Sequence, residues 1–199
     1  MGRPQISTAT VRRGLSAARV KLTAPEAMRP VLNLMKGADP AKDVSAARLG
    51  LSLLWLADDV IAAVNRKLER VNISEAKLDV LMIFAAQLAQ PEAEWTVRQT
   101  PSGIAEYFGI TKASATGLID WLENRKLVTR TRHATDRRST PVRITPEGEK
   151  LVAEALPVLE QACGGLIDVL SERERRDLQR ILDKLWIHVK APQATDCGT

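Results

Sequence analysis

The sequence predicts a mainly α-helical protein with one small β hairpin, and three observations predict it. Apolar residues recur at helical spacing in long stretches, from Val44 to Val71, from Ser74 to the residue before Pro91, and in two runs between Thr145 and Val189. Thr100 and Pro101 open a short helix that stops at Gly109, and Thr111 opens another at once. Residues 125–143 then read as two strand-like segments joined by an arginine-rich tip. A helix, a glycine turn, a second helix and a basic hairpin have the layout of a winged helix-turn-helix lobe. The expected class is therefore mainly α with a small β-wing, the lobe flanked by N- and C-terminal dimerisation helices.

Residues 1–42 form a basic N-terminal arm, interrupted by Pro4, Gly14, Pro25, Pro30, Gly37 and Pro40 and either partly disordered or folded as an extra helix. Its Arg3, Arg12, Arg13, Arg19 and Lys21 could track DNA, extend a dimer or cover it. Residues 43–73 read as an N-terminal dimerisation helix, with Asp43 as N-cap and Leu51, Leu54, Val60, Ile61, Val64 and Leu68 on its apolar face.

The lobe itself spans residues 74–146. A Ser74-capped helix carries Leu78, Leu81, Phe84 and Leu88, and Trp95, Thr96 and Val97 suggest a short strand. Ile104, Ala105 and Phe108 turn inward before Gly109, where a positive φ is easy. On a wheel of 100° per residue, Ala115, Leu118, Ile119 and Leu122 fall on the core side of the next helix. Ala113, Thr116, Gly117, Asp120 and Asn124 fall opposite, flanked by Lys112 and Ser114. Small and polar groups suit close approach to a groove, where Lys112, Ser114 and Thr116 would meet phosphates and base edges and Ala113 a thymine methyl. A merely solvated face would carry more Glu and Lys.

Residues 147–190 read as C-terminal dimerisation helices, with a kink at Pro157, a weak point at Gly164 and Gly165, and a Ser171–Glu174 capping box. Leu178, Ile181, Leu182 and Leu185 stripe the last helix, and residues 191–199 are a flexible tail. Striped helices at both ends of a single chain lack an internal partner for both. A two-fold homodimer supplies one, and its axis would match a palindromic site.

Charge is informative only by segment. The chain carries a net +5, but residues 125–143 alone hold seven bases against Asp136, a net +6. Residues 1–40 add seven bases against two acids, so the remaining residues are acidic. A hairpin with such an excess repels itself unless something anionic lies against it.

Other classes find little support. There is no apolar run of 18 residues and no secretory h-region, so no membrane partner is expected and the location expected is cytoplasmic. Cys163 and Cys197 lie far apart, neither in a CxxC nor beside a histidine, so no metal is expected. His133 and His188 have no acid, nucleophile or ligand array near them, and no phosphate-cradling glycine loop, HExxH or GxSxG occurs. Neither an enzyme nor a cofactor is expected. A winged helix converted to a protein-interaction module is the alternative from another class, and a wing stripped of bases would mark it. This wing is the most basic segment of the chain.

The order of VLMIFAA, TPSGIAEYFGITKASATGLIDWLENRKLV and TRHATDRRSTPVRITPEGEKL resembles the MarR family of bacterial transcriptional regulators, over roughly residues 44–190. Its most specific parts are Asn124-Arg125-Lys126-Leu127-Val128, Asp136-Arg137-Arg138 and Ile144-Thr145-Pro146-Glu147-Gly148. The resemblance implies an obligate homodimer with intertwined terminal helices, reading double-stranded DNA at a pseudo-palindrome. It implies a recognition helix contacting DNA through Lys112, Ala113, Ser114, Thr116 and Gly117. It also implies a wing doing so through Arg130, Arg132, Asp136, Arg137 and Arg138, with Arg137 or Arg138 in the minor groove and Asp136 holding its neighbour. A small aromatic or anionic effector is implied too, in a cleft lined by Trp55, Asp58, Arg66 and Trp95. Repression and activation both stay open.

Two departures matter. Gly117 stands where many relatives have arginine, which shifts specificity toward the wing and DNA shape. No cysteine precedes Cys163, so the oxidant sensing of some relatives, through a cysteine near the first dimer helix, does not carry over.

Overall fold

The computed structural model describes residues 23–37, 39–90, 97–130 and 141–191. Helix α1 spans Ala24–Lys36, α2 Ser45–Leu68, α3 Glu75–Ala89, α4 Pro101–Phe108 and α5 Lys112–Asn124. Strands β1 (Val128–Arg130) and β2 (Val142–Ile144) follow, then α6 (Pro146–Ile167) and α7 (Glu172–Lys190). The described residues fall into two compact units, one up to Leu159 and one from Glu160 onward. Among the described residues no helix is long and apolar enough to cross a membrane.

Of the two alternatives for the arm, residues 24–36 take the extra helix. Pro25 sits in its first turn, where the missing N–H costs nothing, and the Glu26 carboxylate accepts from the N–H and hydroxyl of Thr23. Helix α1 packs on α2, with Met28 almost fully buried and its sulfur 3.6 Å from the Ser52 hydroxyl.

Helix α2 begins at Ser45, not on an Asp43 cap. Val44 occupies the cap position, while Asp43 reaches two residues on to accept from the Ser45 N–H at 2.8 Å and from its hydroxyl. That is a turn closed by a carboxylate rather than a helix cap. At its far end α2 tightens into a 3-10 turn, Glu69–Val71, and Asn72 ends it in the left-handed region at φ 55°.

The core of the first unit gathers Val64 and Leu68 from α2, Leu78, Leu81 and Phe84 from α3, and Ile104 from α4. Ile119, Leu122, Val128 and Val142 complete it. Leu88, expected on the inner face of α3, is exposed. The Gln87 amide donates to the Val97 carbonyl at 2.7 Å and so anchors the segment after α3. Val97 is buried but not in a strand, and Trp95 and Thr96 lie outside the described residues.

β1 and β2 pair antiparallel in the register Val128↔Ile144, Thr129↔Arg143, Arg130↔Val142. Val142 also donates to the Gln99 carbonyl at 2.7 Å, which ties the hairpin to the start of α4. Helix α6 carries Pro157, Gly164 and Gly165 inside its span, Pro146–Ile167. In α7, Ser171 and Glu174 form the expected reciprocal cap, and these hydrogen bonds hold the Glu174 carboxyl below its usual pKa.

Candidate nucleic-acid interface

The helix pair is set by its caps. Thr100 accepts from the Gly103 N–H and Thr111 from the Ser114 N–H, each at 3.1 Å, so both helices start where a threonine satisfies a free donor. Between them Gly109 lies in the left-handed region at φ 64°, its N–H on Glu106 and the following Ile110 N–H on Ala105. This double closure is a Schellman motif, and it turns the chain sharply into α5. The same motif ends α5, with Lys126 at φ 60°, its N–H on Glu123 and the Leu127 N–H on Leu122.

Helix α5 buries Ala115, Ile119 and Leu122 completely and Leu118 by half. Lys112, Ala113, Ser114 and Gly117 are exposed, and Thr116 is half-buried with its hydroxyl donating to the Lys112 carbonyl at 2.8 Å. The Ser114 hydroxyl lies 2.9 Å from that of Thr111. Lys112, Ala113, Ser114 and Gly117 thus lie together near the N-terminal half of the helix. No Cβ would meet anything at Gly117, so the helix surface there is open to close approach.

Arg130 stands differently from its expected place on DNA. Its guanidinium donates to Asp120 and, at 2.8 Å, to Glu123, and its side chain is only 25% exposed. Asp120, assigned to the outer face by the wheel, is therefore turned to the base of the hairpin. Sequence reading missed this triad. Its only signal was two carboxylates three residues apart on one helix, followed by an arginine in the next strand.

Trp121 gives a second brace. Lys77 lies 4.0 Å above its ring centroid and Arg125 lies 5.0 Å away, while Arg125 also donates to the Asn72 carbonyl at 2.7 Å. Cation–π pairs of this kind contribute about 0.5–1 kcal/mol each at exposed sites. Helix α5 is thereby fixed to the start of α3 as well as to the wing.

Arg132, Asp136, Arg137 and Arg138 lie outside the described residues, as does Trp95. Of the other cleft candidates, Trp55 and Asp58 are half-buried on α2 and Arg66 is exposed near its end. Arg143, one of the seven bases of residues 125–143, is exposed on β2 opposite an exposed Thr129. Among the described residues no group of His, Cys, Asp or Glu is arranged to hold a metal.

A capped helix pair with an open recognition face and a two-stranded hairpin at its exit defines a winged helix-turn-helix protein. The family model described as the MarR family matches residues 77–139, so the lobe of this chain is similar to that family. It is 27% identical over 145 residues to the HTH-type transcriptional repressor YetL of Bacillus subtilis, covering 72% of this chain and 82% of that one. Among solved structures it is similar to a Staphylococcus aureus MepR–DNA complex at 23% identity and a TM-score of 0.58, over 69% of this chain and 95% of the other. It is also similar to CouR of Rhodococcus jostii RHA1 bound to p-coumaroyl-CoA, at 25% identity and a TM-score of 0.54, over 69% and 90% of the two chains.

Proposed function

We propose that the protein regulates transcription in the cytoplasm as a homodimer that binds double-stranded DNA at a pseudo-palindromic site. The observation that carries this reading is the cluster of Lys112, Ala113, Ser114 and Gly117, exposed together on a helix fixed from both sides. These residues and Thr116 contact base edges and phosphates in the major groove, and the two copies of α5 in the dimer lie about 34 Å apart. Arg132, Asp136, Arg137 and Arg138 of the wing serve the flanking minor groove, whose negative potential favours arginine. Arg130 acts as the strut that sets the wing against α5 rather than as a DNA contact.

The domain plan that goes with this reading has an arm at 1–42, a dimerisation helix at 43–73, the DNA-binding lobe at 74–146, dimerisation helices at 147–190 and a tail at 191–199. The uncovered apolar side chains of α2 and α7 support the dimer. The likeness to CouR, solved with p-coumaroyl-CoA, supports an anionic or aromatic effector in the cleft of Trp55, Asp58, Arg66 and Trp95.

The test is retention of genomic fragments by the purified protein at increasing salt, followed by sequencing. Enrichment of one palindromic motif, with affinity falling steeply as salt rises, is the expected result. Replacement of Arg137 and Arg138 together by alanine should then weaken binding to that motif by at least about tenfold, the value of one lost specific contact. Unchanged affinity would remove the wing from the mechanism, and uniform weak retention would favour a protein-interaction role.

A further inference from the structure

Helix α1, the short connection after it and the first turn of α2 line an open depression of about 390 Å³. That volume is within the range of small-molecule sites. Four cations line it: Arg29 and Lys36 from α1, Lys42 from the connection, and Arg48 from α2. Leu32 and Val44 add apolar wall. Asp43 is the one acid in the lining, and its carboxylate is engaged by the N–H and hydroxyl of Ser45. Glu26, a turn before Arg29, is engaged by Thr23 and also feels the Arg29 charge, though not as an ion pair within 4.0 Å. Among the described residues none of the four cations has an ion-pair partner within 4.0 Å.

Four like charges around so small a space repel one another. Arg29, Lys42 and Arg48 are exposed and Lys36 is half-buried, so solvent screens this repulsion in part without removing it. The lining's net charge is +3, counting four bases against Asp43. An anion inside would remove the repulsion and gain charge-assisted hydrogen bonds, most strongly from the planar guanidinium groups of Arg29 and Arg48.

We propose that this depression binds a small multivalent anion, bearing phosphate or carboxylate groups, through Arg29, Lys36, Lys42 and Arg48. The site is separate from the cleft of Trp55, Asp58 and Arg66, and its occupation needs no DNA, so it does not rest on the regulator reading.

Calorimetric titration of the full chain with pyrophosphate, and separately with citrate, tests it at fixed ionic strength. One saturable site per chain is expected for at least one of the two probes. R29Q with R48Q should weaken it by at least about tenfold, as loss of charge-assisted hydrogen bonds to the anion requires. R29K with R48K should recover part of the affinity, and K42Q alone, on the connection outside both helices, should weaken binding even if the arginine pair disturbs folding. Absence of binding by both probes would overturn the proposal. So would an equal loss in R173Q with R176Q on α7, because the attraction would then be to net charge alone. A third arm measures the R29Q, R48Q protein on its specific duplex without probe. Unchanged affinity is expected, and a comparable loss would assign the four cations to DNA phosphates instead.

Discussion

Glu75 and Asp79 stand four residues apart on one face of α3, half-buried, with the Glu75 N–H held by the Asn65 side chain at 2.8 Å. Burial raises both carboxyl pKa values above their ordinary 4.5 and 3.8, and for Glu75 the neighbouring Asp79 charge raises it further. An acid with a raised folded-state pKa binds more protons folded than unfolded. Stability from this pair is therefore greatest at low pH and is lost as pH rises from about 4 through the raised values. Asp79→Asn should raise the melting temperature at pH 7 by about 1–3 °C, a modest gain because half-exposed charges are screened. Melting curves between pH 4 and 7 should show a flatter profile for the variant; a profile as steep as the parent's would place the pH dependence elsewhere.

Residues whose partners lie within four positions were legible in the sequence. Thr100, Thr111 and Ser171 cap the helices they were expected to cap, because such a cap needs only its own first turn. Asp43 misled by one position because its carboxylate found the Ser45 N–H first. The ion pairs of Arg130 were not legible, since its partners lie back across the end of α5 and only strand register brings them together.

Between elements, one tight join is where α6 leaves the hairpin. Thr145 donates its N–H to the Leu127 carbonyl at 3.0 Å and its hydroxyl to that of Lys126 at 2.7 Å, and it caps Gly148. A Cβ at Gly148 would stand 2.2 Å from the Leu127 carbonyl oxygen, a backbone atom that cannot move without shifting β1. Gly148→Ala should destabilise the protein by about 2–3 kcal/mol, as overpacking against fixed atoms does. Chemical denaturation reads this directly, and a midpoint equal to the parent's would mean that α6 slides away from the hairpin at no cost. The helix-turn-helix itself was legible because caps and glycine mark each end. The close packing of Gly148 was not, because a glycine one turn into a helix carries no sign of what lies opposite.

At the scale of the molecule, the apolar face of α7 is the most conspicuous feature. Trp186, Ile187 and Val189 are about 70% exposed, and Ile181 and Leu182 more than 40%. On α2, Leu49, Leu54 and Leu56 are likewise open. Covering large side chains of this kind contributes about 1.5–3 kcal/mol each when burial is complete. If these faces form the proposed dimer, Trp186→Asp with Ile187→Asp should leave a monomer at micromolar concentration in analytical ultracentrifugation, with the far-UV helical signal largely kept. A dimer unchanged in this double variant would show that α7 is not in the interface. The amphipathic stripes were readable from spacing, but which surface meets which depends on a second copy.

The Arg130 triad has a consequence for how this lobe tolerates change over generations. One guanidinium is served by two carboxylates, so drift that erases either Asp120 or Glu123 leaves the strut standing on the other. Such a lobe hides its first lesion and displays only the second. The wing's alignment is thus buffered against single inherited changes on the helix side and vulnerable on the strand side, where Arg130 has no understudy.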